Sequence, residues 1–177
     1  QPFFAFGWDA SVCDRLFDIF LVVLGFLGII FGLVANGFSK TFYRFSLIGA
    51  MSLLVGVWSM CYSKVIQVCS LDYVSTSFME YLCLYMIPIP FLLLLQDMHK
   101  GKLSPKKWAF LRIVTIVAIM FVVSSVVLHL VNVVLMMHLL TVFHAFIFFL
   151  AIYTIGTGLV YSKKMGTSEK IFALGIV

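Results

Sequence analysis

The sequence predicts an all-α fold, a polytopic transmembrane helical bundle, and three observations lead to that prediction. Of its 177 residues, 63% are hydrophobic and 11% are charged, whereas a soluble domain is about half apolar and about a quarter charged. Apolar runs long enough to cross a bilayer recur between short polar connectors. Lys and Arg are concentrated in every second connector, as in multi-pass membrane proteins.

Five complete spans and the start of a sixth follow one another along the chain. The first three apolar runs are 16–38, 45–62 and 78–95. Residues 108–161 form an almost unbroken apolar stretch, which as one helix would measure on the order of 80 Å against a bilayer core of roughly 30 Å. This stretch must contain two spans, and its polar cluster places the turn at residues 129–138. We expect a sixth span to begin near Ile171 and to be cut at Val177.

The distribution of basic residues predicts the orientation of the bundle. Ten of the twelve Lys and Arg residues fall on one side of the predicted membrane, and only Arg15 and Lys64 fall on the other. Basic connectors stay in the cytoplasm, so we expect the N-terminus outside. Residues 1–15 would then end an upstream extracellular region, and residues 16–177 would form a transmembrane module truncated in its sixth helix. This topology accounts for the net charge of +5, so we expect a lipid bilayer and no nucleic acid as partner.

Small residues follow a regular spacing in the first two spans. Spacings of three and four residues average 3.5, which keeps one seam of a helix facing its partner. Helices in lipid associate through such close backbone approach, since apolar burial gives them no drive. A short connector makes the two spans antiparallel neighbours, and we infer that they pack through these seams. The seam residues are Gly25, Gly28, Gly32, Gly49, Ser52 and Gly56.

Two prolines, Pro88 and Pro90, lie near the middle of the third span. Proline lacks the amide hydrogen and clashes with the preceding turn, so a kink is expected there. Such a kink is either a static bend or a moving hinge.

Two acids, Asp18 and Glu80, lie at the predicted outer ends of the first and third spans. An acid inside a membrane is a functional hypothesis by default, whereas near the interface it can also cap or hydrate a helix end. Both interpretations stay open. Under the functional one, an outer-facing pocket that senses a signal would consist of Asp18, Glu80, Tyr81, Tyr85, His129, Asn132 and His138.

Neither a metal site nor an enzyme active site is indicated by the remaining residues. The four cysteines form no CxxC pair, and His138 and His144 do not share a helical face. No nucleotide-binding or hydrolase motif occurs. We therefore expect no catalytic, cofactor-binding or metal-binding residue in this segment. Cys13 and Cys69 fall on the predicted outer side, either bridged or as free thiols.

Two stretches carry a resemblance to a known family: Ser46–Ser59, SLIGAMSLLVGVWS, and Leu84–Leu93, LYMIPIPFLL. They resemble the seven-transmembrane sensory regions that precede GGDEF-type diguanylate cyclase domains in many Firmicutes proteins. Those regions are similar to seven-transmembrane receptors with diverse intracellular signalling modules. The resemblance implies seven helices in a bacterial cytoplasmic membrane, an extracellular N-terminal region and a cytoplasmic output domain.

The resemblance also implies a function: a sensory module that regulates a diguanylate cyclase making cyclic di-GMP. Two cyclase active sites must meet, so it implies a homodimer of the full-length protein. The signal ligand stays unknown, and no family ligand residue is carried over. The GGDEF signature does not occur in these 177 residues, so catalysis does not belong to them. Two alternatives stay open, the sensor region of a histidine kinase and a small-molecule transporter that depends on Glu80.

Overall fold

The computed structural model describes residues 10–36, 43–63, 73–100 and 104–161, with side chains for 15–35, 43–63, 73–100 and 104–156. These residues are almost entirely helical, and none of them forms a strand. The helices are α1 (Ala10–Asn36), α2 (Tyr43–Tyr62), α3 (Tyr73–Met86), α4 (Pro88–Met98), α5 (Pro105–Leu130), a short 3-10 helix (Met136–Leu139) and α6 (Leu140–Tyr161).

Five segments of the described residues are long and apolar enough to cross a membrane, and α3 and α4 together form one of them. The prediction of an all-α, multi-pass membrane protein with five complete spans is therefore confirmed. These spans are Arg15–Ala35, Tyr43–Tyr62, Tyr73–Met98, Pro105–Leu130 and Met136–Gly156. The predicted sixth span, from Ile171, lies outside the described residues.

Two helices begin earlier than their apolar runs predict. The first starts at Ala10 instead of Leu16, and the third starts at Tyr73 instead of Phe78. Hydropathy misses the start of the third span because Ser75, Thr76 and Ser77 are polar. Thr76 is nevertheless only 2% exposed, so the bundle buries one of these three polar side chains.

The third span is interrupted at Ile87, directly before Pro88. Ile87 keeps helical angles (φ −53°, ψ −42°), and its amide still donates to the Cys83 carbonyl at 3.2 Å. Pro88 and Pro90 have no amide hydrogen, so two helical hydrogen bonds are missing around this point. The interruption is a loss of hydrogen bonds within a helical path.

Helices α1 and α2 pack antiparallel through small residues. A Cβ added at Gly25 would clash with the backbone of Leu53, and one added at Gly32 would clash with the backbone of Ser46. The contact pairs run in opposite order along the two helices, which defines the antiparallel arrangement. The Ser52 hydroxyl also donates to the Leu21 carbonyl of α1 at 3.0 Å. Backbone contact and a polar bond are the two means by which membrane helices associate.

The chain divides into two compact units, residues 1–126 and 127–177. In the first unit, one face of α5 is buried: Leu111, Val114, Thr115, Ala118, Val122 and Ser125. The second unit holds the end of α5, the 3-10 helix and α6. The turn between the fourth and fifth spans falls between Leu130 and Met136, within the predicted range 129–138.

Candidate functional site

The residues of the predicted outer-facing pocket belong to both units. Asp18, Glu80, Tyr81 and Tyr85 lie in the first unit, and the other three lie in the second. The pocket that would combine them stays a prediction. In the first unit, the end that carries Asp18 is named the Asp18 end, and the opposite end, which carries Asp97, the Asp97 end.

Asp18 is buried at the contact between α1 and α2. Its side chain is only 3% exposed, and its Oδ2 accepts a hydrogen bond from the Ser63 hydroxyl at 3.2 Å. The same hydroxyl lies 3.3 Å from the Met60 carbonyl, so its single hydrogen is shared between two acceptors. Asp18 is therefore enclosed by protein, in contrast to the open, hydrated helix end that its position near the interface also allowed.

Glu80 lies half-buried on α3, within a group of residues that we name the Glu80 cluster: Glu80, Tyr81, Cys83 and Tyr85 of α3 with Cys61 of α2. The Cys61 thiol lies within electrostatic reach of the Glu80 carboxyl and of the Cys83 thiol. Both cysteines are buried and free. The cluster combines an acid, two thiols and two phenols, and no described group of three His, Cys, Asp or Glu residues could hold a metal ion.

Tyr85 fixes one side of this cluster. It is 1% exposed, its ring meets Phe121 of α5 edge-on at 5.3 Å between centroids, and Tyr81 lies 6.4 Å away. Sequence reasoning found the two tyrosines and missed the thiols. The available signal was the spacing of Cys83, three residues after Glu80 and so on the same side of the helix.

In the second unit, Asn132 has a structural role that sequence reasoning did not assign. Its φ is +57°, in the left-handed region that asparagine tolerates better than most residues. Its amide donates to the His129 carbonyl, and the Val133 amide donates to the Leu128 carbonyl, both at 3.0 Å. This pair of bonds is a Schellman cap, which ends α5. His138 is exposed, and its amide donates to the Leu135 carbonyl at 3.0 Å.

A second polar group, absent from the sequence-based candidates, lies at the Asp97 end. The Arg44 Nε donates to the Asp97 carboxylate at 2.5 Å, with side chains 42% and 32% exposed. The neighbouring Gln96 donates from Nε2 to the Thr115 hydroxyl, also at 2.5 Å. Thr115 in turn donates to the Leu111 carbonyl at 3.0 Å. Two consecutive residues thus bind the last turn of α4 to α2 and to α5.

His99 is buried at the Asp97 end. It follows α4 directly and is only 7% exposed. Its Nδ1 lies 2.9 Å from the Leu95 carbonyl, and its Nε2 is buried with no hydrogen-bond partner among the described residues. The sequence predicted that the span ends at Leu95 because Gln96, Asp97 and His99 are polar. In the bundle Gln96 and Asp97 have side-chain partners, and the Nδ1 of His99 lies beside the Leu95 carbonyl.

The two ends of the first unit therefore differ in charge and in chemistry. The Asp18 end carries two acids, Asp18 and Glu80, with thiols and phenols nearby. The Asp97 end carries an ion pair and exposed cations, among them Arg112, whose guanidinium lies 5.3 Å from the centre of the Trp108 ring. The other cysteine pair, Cys13 and Cys69, has no described side chains, so its expected state stays a prediction. No family model, curated protein or solved structure matches the chain.

Proposed function

We propose that this chain is the membrane-spanning sensory part of a signalling protein and regulates a cytoplasmic diguanylate cyclase. The observation that carries the proposal is the span Tyr73–Met98. It holds the Glu80 cluster toward one end, a proline interruption in the middle and hydrogen bonds to α2 and α5 at the other end. One span therefore connects the Glu80 cluster at one end of the bundle with the hydrogen bonds of Gln96 and Asp97 at the other end.

The positive-inside bias supports the orientation of this span. The Asp97 end carries Arg44, Lys100 and Arg112, which belong to the ten of twelve basic residues that the sequence predicts on one side of the membrane, so we assign this end to the cytoplasm of a bacterial cell. The Asp18 end then faces outward, where the buried Asp18 and the Glu80 cluster would meet a signal.

Signal transfer requires two packings of the same helices. A ligand shifts their equilibrium only by its differential affinity for the two arrangements. Missing hydrogen bonds at Pro88 and Pro90 make the middle of the span the place where α3 can tilt against α4 at low cost. A tilt of α4 would first strain or break the hydrogen bonds of Asp97 and Gln96, because these side chains join α4 to α2 and α5.

The two stretches that carry the family resemblance coincide with the α1–α2 contact and with the proline interruption. Ser46–Ser59 contains the α2 residues at the closest approach to α1, and Leu84–Leu93 contains the proline interruption. The same resemblance supports a homodimer of the full-length protein with one cyclase domain per copy.

The test uses the complete gene expressed in a bacterial host with low cyclic di-GMP. The proposal predicts that the wild-type protein raises cyclic di-GMP. It also predicts that Asp97→Asn changes the level at equal protein abundance, because it removes the negative charge of the ion pair between α4 and α2. A matched control is Lys106→Gln, an exposed residue at the same end. Autophosphorylation without cyclic di-GMP would move the protein to the histidine-kinase alternative.

A second candidate, a small-molecule transporter, rests on one observation: a half-buried acid, Glu80, lies on an interrupted span. Broken helices and intramembrane acids are found in transporters. Uptake of a substrate that is lost in Glu80→Gln, with cyclic di-GMP unchanged, would favour this candidate over the sensor.

A further inference from the structure

A buried nitrogen of His99 has no partner that the described residues provide. The Nδ1 lies 2.9 Å from the Leu95 carbonyl oxygen, and because a carbonyl only accepts, Nδ1 carries the hydrogen. The Nε2 is buried and unbonded in a side chain that is 93% buried, since only 7% is exposed. Buried polar atoms are nearly always hydrogen-bonded. The free Nε2 therefore indicates a ligand group at this place.

Helical register identifies what surrounds His99. Two pairs, Tyr85 of α3 with Phe121 and Gln96 of α4 with Thr115, show that the third span runs antiparallel to α5. His99 is one turn beyond Gln96, so it lies toward the beginning of α5.

One turn before Thr115 on α5 is Arg112, and Trp108 shares a face with Thr115 because seven residues make two turns. Arg112 is exposed and sits 5.3 Å from the Trp108 ring centre. The register thus places the imidazole of His99 near the level of Arg112, whose guanidinium in turn lies against the indole of Trp108, about one turn closer to the beginning of α5.

The charge at this level favours an anion. Arg112 and Lys100 are exposed cations, while the Asp97 carboxylate is already paired with Arg44. A guanidinium matches the oxygens of a phosphate group, and an imidazole nitrogen that carries a hydrogen can donate it to a phosphate oxygen. Basic pockets between membrane helices recognise lipid headgroups in this way, and tryptophan prefers the headgroup level.

We propose that His99 and Arg112 bind the phosphate group of an anionic ligand beside Trp108. The phosphate belongs either to a phospholipid headgroup or to a soluble phosphate ester. This proposal depends neither on the sensory function nor on the face of the membrane that the Asp97 end occupies.

The test is a binding titration of the full chain in neutral detergent, followed by native mass spectrometry. Phosphatidylglycerol is the probe, and diacylglycerol with the same acyl chains is the control for apolar binding. We expect His99→Gln and Arg112→Gln each to raise the Kd for phosphatidylglycerol about tenfold, the effect of one charge-assisted hydrogen bond. Lys106→Gln, an exposed cation in the first turn of α5, should change it less than about twofold.

Competition with glycerol 3-phosphate separates the two sources. Displacement of the lipid at millimolar concentration would assign the site to a soluble phosphate ester, and its absence would assign it to the lipid headgroup; either result supports the proposal when binding depends on His99. Equal phosphatidylglycerol binding in all four proteins, or none in the wild type, would overturn it. Arg112 is exposed, so its variant keeps the test valid if His99→Gln fails to fold.

Discussion

Substitution of Gly49 by alanine should separate α1 from α2. A Cβ at this position would lie 2.7 Å from the Ile29 amide nitrogen and 2.8 Å from the Gly25 carbonyl oxygen. Both are backbone atoms, so no side chain can rotate away. The first distance is about 0.7 Å short of the 3.4 Å at which ordinary van der Waals contact begins, so the two helices must move apart.

The magnitude follows from two opposing effects. Overpacking a well-packed contact costs about 1–3 kcal/mol, while alanine in place of glycine favours a helix by about 1 kcal/mol. We therefore expect Gly49→Ala to lower the free energy of unfolding by up to about 2 kcal/mol, and Gly49→Leu to lower it further. For a chain of this size, 1 kcal/mol corresponds to about 2–4 °C in Tm.

The matched control is Gly156→Ala in α6, where an added Cβ would meet nothing within 4 Å. Helix propensity alone should leave the Tm of this control unchanged or slightly raised. Thermal unfolding in detergent can be followed with a thiol-reactive fluorophore, because Cys61 and Cys83 are buried at 2% and 6% exposure and become reactive on unfolding. Equal shifts in the two alanine variants would refute the packing argument.

Three polar contacts give further predictions, each measured as a Tm in the same thiol assay. A double-mutant cycle of Arg44→Gln and Asp97→Asn should give an interaction energy below about 1 kcal/mol, because both side chains are partly exposed. A larger interaction energy would show that the ion pair is shielded from water. Gln96→Leu should cost about 0.6–1.7 kcal/mol, the usual range for hydrogen bonds between membrane helices, and an unchanged Tm would contradict the bond. Ser63→Ala should cost about 1–3 kcal/mol because the buried Asp18 loses its donor, and a more stable variant would contradict that role.

Periodicity and hydropathy were enough to predict the spans and the small-residue seam. Glycines at spacings of three and four residues can only form one seam, and Gly25 and Gly49 stand at the closest approach of α1 and α2. Proline chemistry likewise placed the interruption, because Pro88 cannot donate to the helix whatever surrounds it. These features follow from local rules that act within one or two helices.

The polar contacts of the Asp97 end could not be predicted in the same way. Hydropathy treats Gln96, Asp97 and His99 as the start of a connector, since each is costly to bury alone. In the fold, Thr115 is the partner of Gln96, from 19 residues away in the chain, and Arg44 is the partner of Asp97, from 53 residues away. Tertiary pairing of this kind has no local signal. One indication that Arg44 and Asp97 could meet was available from the sequence: their two connectors are predicted on the same side of the membrane.

The role of Asn132 shows a related limit. Its polarity among apolar neighbours suggested a pocket residue, whereas its positive φ and the bonds around it end α5. Polar residues at a turn serve the backbone as readily as they serve a ligand. The positive φ of Asn132 and the hydrogen bonds beside it reveal the role in the backbone, and neither can be read from the sequence.

Accessibility of single cysteines shows directly which end of the bundle faces the cytoplasm. In the proposed orientation the Asp18 end lies outside and the Asp97 end lies in the cytoplasm. Ser63→Cys and Ser104→Cys mark the two ends, in a background in which Cys13 and Cys69 are serine. In intact cells, a membrane-impermeant maleimide should label Ser63→Cys, and it should label Ser104→Cys only after permeabilisation. Labelling of Ser104→Cys in intact cells, or protection of Ser63→Cys until the cells are opened, would contradict the proposed orientation and the sensory function that depends on it.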